Sequence, residues 1–519
     1  MKRKSVCLLS IVGAVAMVSA QAPSRWVSFD STHRLHYGTD ARSNRIMDFS
    51  HAGYRGGGVA LPAVRAARTL APVAGDSTAR IQTAIDQVSA LPLGADGFRG
   101  AVVLEKGVYD VTRELKISAS GVVLRGSGSG DGGTTLKVSG PPHRFLDISG
   151  IGAWQPNGAA VPITDGYVPA GTTSFTVSAA AGLKAGDAIL IQRPVTEKWI
   201  HFMGMDLLER NGEKQTWIKA GTIISMDRTI ASIAGNKITV DVPLSDSLDA
   251  EYLNPPGASI VKYVFPGRVE RIGVESLRVV APAQDVSINQ AQYTFLRTNA
   301  VSDAWLRDVS VIDTQNTITL GPSSRRMTLE EVHITHTVPF TEAASPADIA
   351  ISGTQILVHR STVAGKGVWP VVTQAGVTGP NVVLHFKSDQ AGVAPHQRWA
   401  TGLLVDSSDF ENGTETRPSV AFSNREYAGS GHGWSVGWAV AWNVTGAYLL
   451  IQQPPGAMNW CIGCTGRPPT ILWHGNKIAI PPIPSDTWEL PGVKVEPASL
   501  YIEQLRERLG PAAVKNIGY

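Results

Sequence analysis

Between residues 385 and 443 the chain gathers side chains that can move protons and hold anions. His385 and Lys387 come first. Pro395-His396-Gln397-Arg398-Trp399 follows, then Asp406, Asp409, Gly431-His432-Gly433-Trp434, Trp438 and Trp442-Asn443. A solvated face does not need this mixture. A uronic-acid polymer does, if it is to be cut by β-elimination. Its C5 proton is barely acidic until the adjacent carboxylate is neutralised. Such a site therefore needs a cation on the carboxylate, a base at C5 and an acid for the leaving oxygen. Arg398 and Lys387 are the candidates to neutralise or abstract, and His396 or His432 to act as base or acid. Trp399, Trp434 and Trp438, with His385, are the candidate substrate-binding residues, because an indole face stacks on the apolar C–H face of a sugar ring. Arg398 and His432 are expected to serve turnover and to be dispensable for folding.

Other chemistries use the same stretch. A hydrolase needs two carboxylates flanking the bond, with a water between them in the inverting case. Asp406 and Asp409 are the candidates. An epimerase begins with the same C5 proton abstraction as the lyase. A non-catalytic glycan-binding surface would use the tryptophans alone. Ca²⁺ is an alternative neutraliser, but it takes about six to eight oxygen ligands and only Asp406 and Asp409 are at hand. The expectation is a site without a cofactor or metal.

The elements that must position these residues begin at an export signal. Lys2, Arg3 and Lys4 precede an apolar stretch, Cys7 to Val18, and small residues at Ser19, Ala20 and Ala22. This is the layout of a signal peptide over residues 1–22, and the expected location is secreted or periplasmic. The stretch is shorter than the roughly 20 residues of a membrane span. The whole chain carries 46 Lys+Arg against 43 Asp+Glu. Residues 1–22 hold three basic and no acidic residues, which leaves 43 against 43. That balance gives no global field for nucleic acid, so an anionic partner must be met locally. The expected partner is a polysaccharide, with no nucleic acid and no membrane after signal cleavage, and the chain is expected to be a monomer. Cys461-Ile-Gly-Cys464 lacks a second ligand pair for zinc, and its spacing suggests a local disulfide or two idle thiols.

Residues 23 to about 70 read as an extended lead-in. Asp76-Ser77-Thr78 then precedes Ile81, Ala84, Ile85 and Val88 at helical spacing, with Asp76 or Ser77 as the cap. Short β-branched strands follow at 101–104, 107–109, 115–117 and 121–126, with Gly between them. An Asp-Ser/Thr cap, Ile81-Gln-x-Ala-Ile85, Val102-x-Leu104-x-x-Gly107-x-Tyr109 and Gly121-Val-x-Leu124-Arg125-Gly126 resemble the entry to the pectate-lyase-like superfamily. The match covers roughly residues 48–140. The resemblance implies a right-handed parallel β-helix, the fold of a clan that includes polysaccharide lyases and polygalacturonases, and says little about chemistry. Gly431-His432-Gly433 also resembles the Gly-His-Gly of polygalacturonases, which follows an Asp pair by about one coil. Asp406 and Asp409 lie 26 and 23 residues earlier, but there is no Asn-Thr-Asp, no adjacent Asp pair and no Arg-Ile-Lys after His432.

Further along, Leu306-Arg-Asp-Val309 recurs as Leu329-Glu-Glu-Val332. Short strands follow at 356–358, 382–384, 402–405, 420–422 and 439–441, with starts roughly 20 to 26 residues apart. Such a period marks stacked coils, each burying its inward face against its neighbours. The predicted fold is all-β: a single-stranded right-handed parallel β-helix with an N-terminal capping helix and a small inserted β-module. The predicted organisation is signal peptide 1–22, lead-in and first coils 23–162, inserted module 163–262, main coils with the candidate site 263–466, and tail 467–519. An amphipathic stretch, Ala498–Leu509, is expected to cover the last open coil.

Overall fold

The computed structural model describes residues 22–470 and 487–519. The signal-peptide reading of residues 1–22 falls almost wholly outside the described residues. Among the described residues no helix is long and apolar enough to cross a membrane.

Three rows of parallel strands build a right-handed β-helix, the hand that parallel crossovers take. One row is read from its inward residues: Val102, Leu124, Val274, Leu306, Leu329, Val358, Val383, Val405, Ala441 and Cys461 pair in succession. A second runs through Leu115, Leu146, Leu296, Ile318, Ile349, Val371, Val393, Val420 and Leu449. A third runs through Tyr109, Leu136, Val279, Val311, Ile334, Val363, Ser388 and Phe410. These ladders meet in one continuous apolar interior. Like residues stack on like from coil to coil, so no single coil has a core of its own.

The helix Thr78–Ser89 closes the first coil, burying Ile81, Ala84, Ile85 and Val88. Its first turn is held by Asp76, whose carboxylate accepts the Thr78 N–H, and not by the Ser77 side chain.

Leu124 pairs directly with Val274. After the strand Arg144–Ser149 the chain leaves the solenoid, and it returns at Val269 one rung later. The excursion forms an antiparallel module whose strands run from Gln155 to Val264, with its own apolar core around Ile189, Ile191, Met226 and Ile260.

The outward side of the first row is apolar as well. Leu357, Val382, Leu404, Val440 and Trp460 stack along it. The lead-in and the C-terminal helix Leu500–Leu509 cover them, with Trp26, Phe49, Tyr501 and Leu505 in the same cluster. The amphipathic tail thus lies against the flank of several coils, rather than acting only as a lid on the last one. Cys461 and Cys464 are free thiols buried in the solenoid interior, not a disulfide in an exposed loop. Cys464 Sγ lies 3.4 Å from the Ala441 carbonyl oxygen.

Candidate functional site

The residues singled out between 385 and 443 fall at two different corners of the solenoid. His396, Arg398 and His432 lie where the second row turns into the first. His385, Lys387, Asp406 and Asp409 lie where the first turns into the third.

At the first corner, loop 395–399 turns through left-handed backbone at Arg398 and Trp399, with φ of 53° and 61°. The imidazoles of His396 and His432 meet edge to face, centroids 4.6 Å apart. His396 Nδ1 lies 3.0 Å from Gln374 Oε1. A carboxamide oxygen can only accept, so Nδ1 carries the proton and Nε2 carries the lone pair. Burial, with Arg425 and Arg398 nearby, depresses the His396 pKa to about 4. The ring is therefore neutral at physiological pH, the form a base requires. Arg425 donates to the His396 carbonyl at 2.7 Å, and burial lowers its own pKa to about 9.

Arg398 has a structural task. Nε donates to the Trp217 carbonyl at 2.5 Å, Nη1 to Gln397 and Nη2 to the carbonyl and hydroxyl of Ser430. It ties the inserted module to two coils. The expectation that it is dispensable for folding is corrected on this ground. Arg398→Ala would strand the Trp217 and Ser430 carbonyls, and is expected to cost about 1–3 kcal/mol, read as a lower denaturant midpoint.

The Gly-His-Gly tripeptide has a packing reason. A Cβ at Gly433 (φ +54°) would lie 2.4 Å from Trp217 Cδ1, and one at Gly431 (φ +85°) would lie 3.0 Å from the Thr216 carbonyl oxygen. Both glycines let the loop close on the module. They do not reproduce a hydrolase motif.

The tryptophans are core. Trp399 is 2% exposed and Trp438 4%. Both indole N–H groups donate to the buried Asp246 carboxylate of the module, at 2.8 and 2.9 Å. Trp434 donates to the Met203 carbonyl and packs with Trp199, Trp217 and Trp399. None presents a ring face to a sugar, which corrects their assignment as stacking platforms. Asp246 carries the docking of the module, and no sequence pattern marks it.

At the second corner, Asp406 is fully buried. It accepts from Ser499 Oγ at 2.7 Å, the Tyr501 N–H at 2.8 Å and Ser407 Oγ at 2.9 Å. It holds the start of the C-terminal helix and cannot reach a substrate. Burial raises its pKa from 3.8 to about 6, against the opposing hydrogen bonds. The folded state thus binds a proton more tightly than the unfolded chain. The contribution of this group is most favourable below about pH 4 and is lost as pH rises through 6. A two-unit shift corresponds to about 3 kcal/mol. Asp406→Asn preserves an acceptor for Ser499 and Tyr501. It is expected to remove that downward slope between pH 4 and 6 relative to wild type, in denaturation curves measured across the range.

Asp409 and Lys387 are exposed and paired in register on the outer ladder. His385 faces the Tyr519 ring, centroids 5.1 Å apart, and burial lowers its pKa. Neither aspartate joins His396. Among the described residues, no group of three or more His, Cys, Asp or Glu side chains is arranged to hold a metal ion.

A cleft of about 340 Å³ runs from Arg398 along the seam between solenoid and module. Its floor is made of successive corners, Pro322, Ser352-Gly353-Thr354, Ala375-Gly376 and Thr378. Its wall is Ile218, Thr222, Ile223, Ser225 and Asp227. The volume lies in the lower part of the roughly 300–1,000 Å³ of small-ligand clefts. Gln374 and Arg425 stand 22 and 29 residues from His396, about one coil each way. That offset was the signal by which the sequence could have found them.

The fold and the seam define a right-handed parallel β-helix protein with a laterally docked antiparallel module. No family model matches the chain, and no curated protein does. Among solved structures it is similar to the tailspike gp49 of Pseudomonas phage LKA1, at 11% identity over 76% of this chain and 69% of that one, TM-score 0.32. It is similar to the Gp54 tailspike of Acinetobacter baumannii bacteriophage AP22 in complex with capsular saccharide, at 12% over 75% and 69%, TM-score 0.30. It is also similar to PfbA, a surface adhesin of Streptococcus pneumoniae, at 11% over 82% and 78%, TM-score 0.38. Nothing about the chemistry of this chain follows from likeness at that distance.

Proposed function

We propose that the protein is exported and acts on an acidic, uronate-bearing polysaccharide, cleaving it by β-elimination in the seam between solenoid and module. The observation that carries this reading is His396. Its Nδ1–H is engaged by Gln374, burial and two guanidiniums keep it neutral, and its Nε2 is left as a base. The guanidiniums of Arg398 and Arg425 supply the positive field that acidifies a proton next to a carboxylate. The cleft beginning at Arg398 follows consecutive coil corners, a geometry suited to a linear polymer. His432, against the His396 ring, is the candidate acid for the leaving oxygen. The reading requires no metal.

A hydrolytic route through Asp406 and Asp409 has no support in the geometry, because Asp406 lies beneath the C-terminal helix. The test is incubation of the protein with pectic, alginate and glucuronan polymers. Elimination yields an unsaturated uronate with ultraviolet absorbance. Reducing ends without that absorbance would mean hydrolysis. No product from any of the polymers, with binding retained, would leave a glycan-binding surface.

A further inference from the structure

Around Asp227, a residue of the cleft wall, orphaned polar atoms collect. Asp227 is buried and lines the cleft wall. Its Oδ1 accepts from Tyr263 Oη at 2.6 Å and Arg325 Nη1 at 3.0 Å, and its Oδ2 faces Arg268 Nη1 at 3.7 Å. Trp154 also lines the cleft, with the Arg268 guanidinium 5.7 Å from its ring centroid. Buried polar groups are almost always paired. Here Arg268 Nε and Nη2, Arg325 Nε and Trp154 Nε1 are buried donors with no hydrogen-bond partner, against one buried acceptor likewise unpartnered, Asp227 Oδ2.

The charge is unbalanced too. Arg228, next in sequence to Asp227, donates all round to backbone carbonyls and is fully engaged in the fold. Arg268 and Arg325 then share a single buried carboxylate. A buried guanidinium lacking a full set of acceptors is costly. Burial and the like charge of Arg325 depress the Arg268 pKa against the opposing pull of Asp227, whereas the pKa of Arg325 is raised, burial being outweighed chiefly by Asp227.

We propose that this part of the cleft is a carboxylate subsite, in which Arg268 and Arg325 pair with the carboxylate of a uronate unit and Trp154 supplies a further N–H. The proposal rests on the acidic-glycan reading above and deepens it. The subsite fixes the sugar class as a uronate rather than a neutral sugar, and it anchors the chain away from His396. A paired guanidinium–carboxylate contact is the strong kind of hydrogen bond and gives orientation as well as affinity.

The test is calorimetric titration of the full protein with glucuronate and galacturonate, with glucose as the neutral probe. Saturable binding of a uronate but not of glucose is expected, weakened about tenfold or more in Arg325→Gln. Trp154→Phe keeps the ring and removes the N–H. It is expected to weaken the uronate several-fold with unchanged unfolding, so it decides the matter if the arginine variant fails to fold. Equal response to glucuronate and glucose, or wild-type uronate affinity in a folded Arg325→Gln or Trp154→Phe, would overturn the subsite. Uronate binding that meets these criteria, with no polymer cleaved, would sink the lyase reading and leave the subsite standing. Polymer cleavage with no uronate preference would do the reverse.

Discussion

Trp399→Ala lowers the unfolding free energy by about 3–5 kcal/mol, the cost of removing a large aromatic from a close-packed interior. The indole fills the space where Gly437 approaches so closely that a Cβ there would lie 2.5 Å from Trp399 Cη2. It meets Trp199 edge to face at 5.6 Å. Its N–H is one of two indole donors to Asp246, beside Arg193 at 3.2 Å. Truncation opens a cavity and also leaves a buried carboxylate short of a donor, so the loss belongs at the upper part of that range. Trp399→Phe refills most of the volume and recovers part of the loss. Urea denaturation of the two variants checks both values. A sugar platform would behave oppositely, with weaker glycan binding and an unchanged midpoint.

The tryptophans show where sequence reading reaches its limit. In a strand, alternate residues point to opposite sides. A polar side marks solvent only when one side is left uncovered. Here Leu357 and Val358, or Leu404 and Val405, are both buried, one inward and the other beneath the lead-in and C-terminal helix. Composition therefore could not separate a core tryptophan from one on a binding face. The same covering hid the role of Asp406. Its partners, Ser499 and Tyr501, are 93 and 95 residues away, and no local pattern announces them. Local signals fared better. The helix at Thr78–Ser89 buries the four apolar positions its spacing marks. The paired motifs at Leu306 and Leu329 are in register on adjacent coils. His396, Arg398 and His432 do share a corner, because loops one coil apart stack as their strands do. The module seam was invisible for the reason that makes it interesting: Trp154, Asp227, Arg268 and Arg325 are scattered over the chain and joined only by the return to the solenoid one rung on.

On the β-elimination proposed above, His396→Ala is expected to abolish most turnover while leaving the fold intact, a fall in kcat of about 10²–10⁴-fold for loss of a positioned base. The side chain is half-buried and hydrogen-bonds to Gln374, so truncation removes little packing. The acid limb of the rate profile gives an independent readout. The base acts when unprotonated, and burial with two guanidiniums sets its pKa at about 4. Activity should therefore rise with pH through about 4 and stay level across neutrality. Gln374→Ala releases Nδ1 and lets the ring exchange tautomers. The expected result is a smaller kcat with the substrate KM little changed, since Gln374 acts through His396. Arg425→Gln removes one of the two depressing charges, so the acid limb should move to higher pH even as the rate falls. An acid limb that stays fixed in Arg425→Gln, or a His396→Ala enzyme with full kcat, would assign the base to another residue.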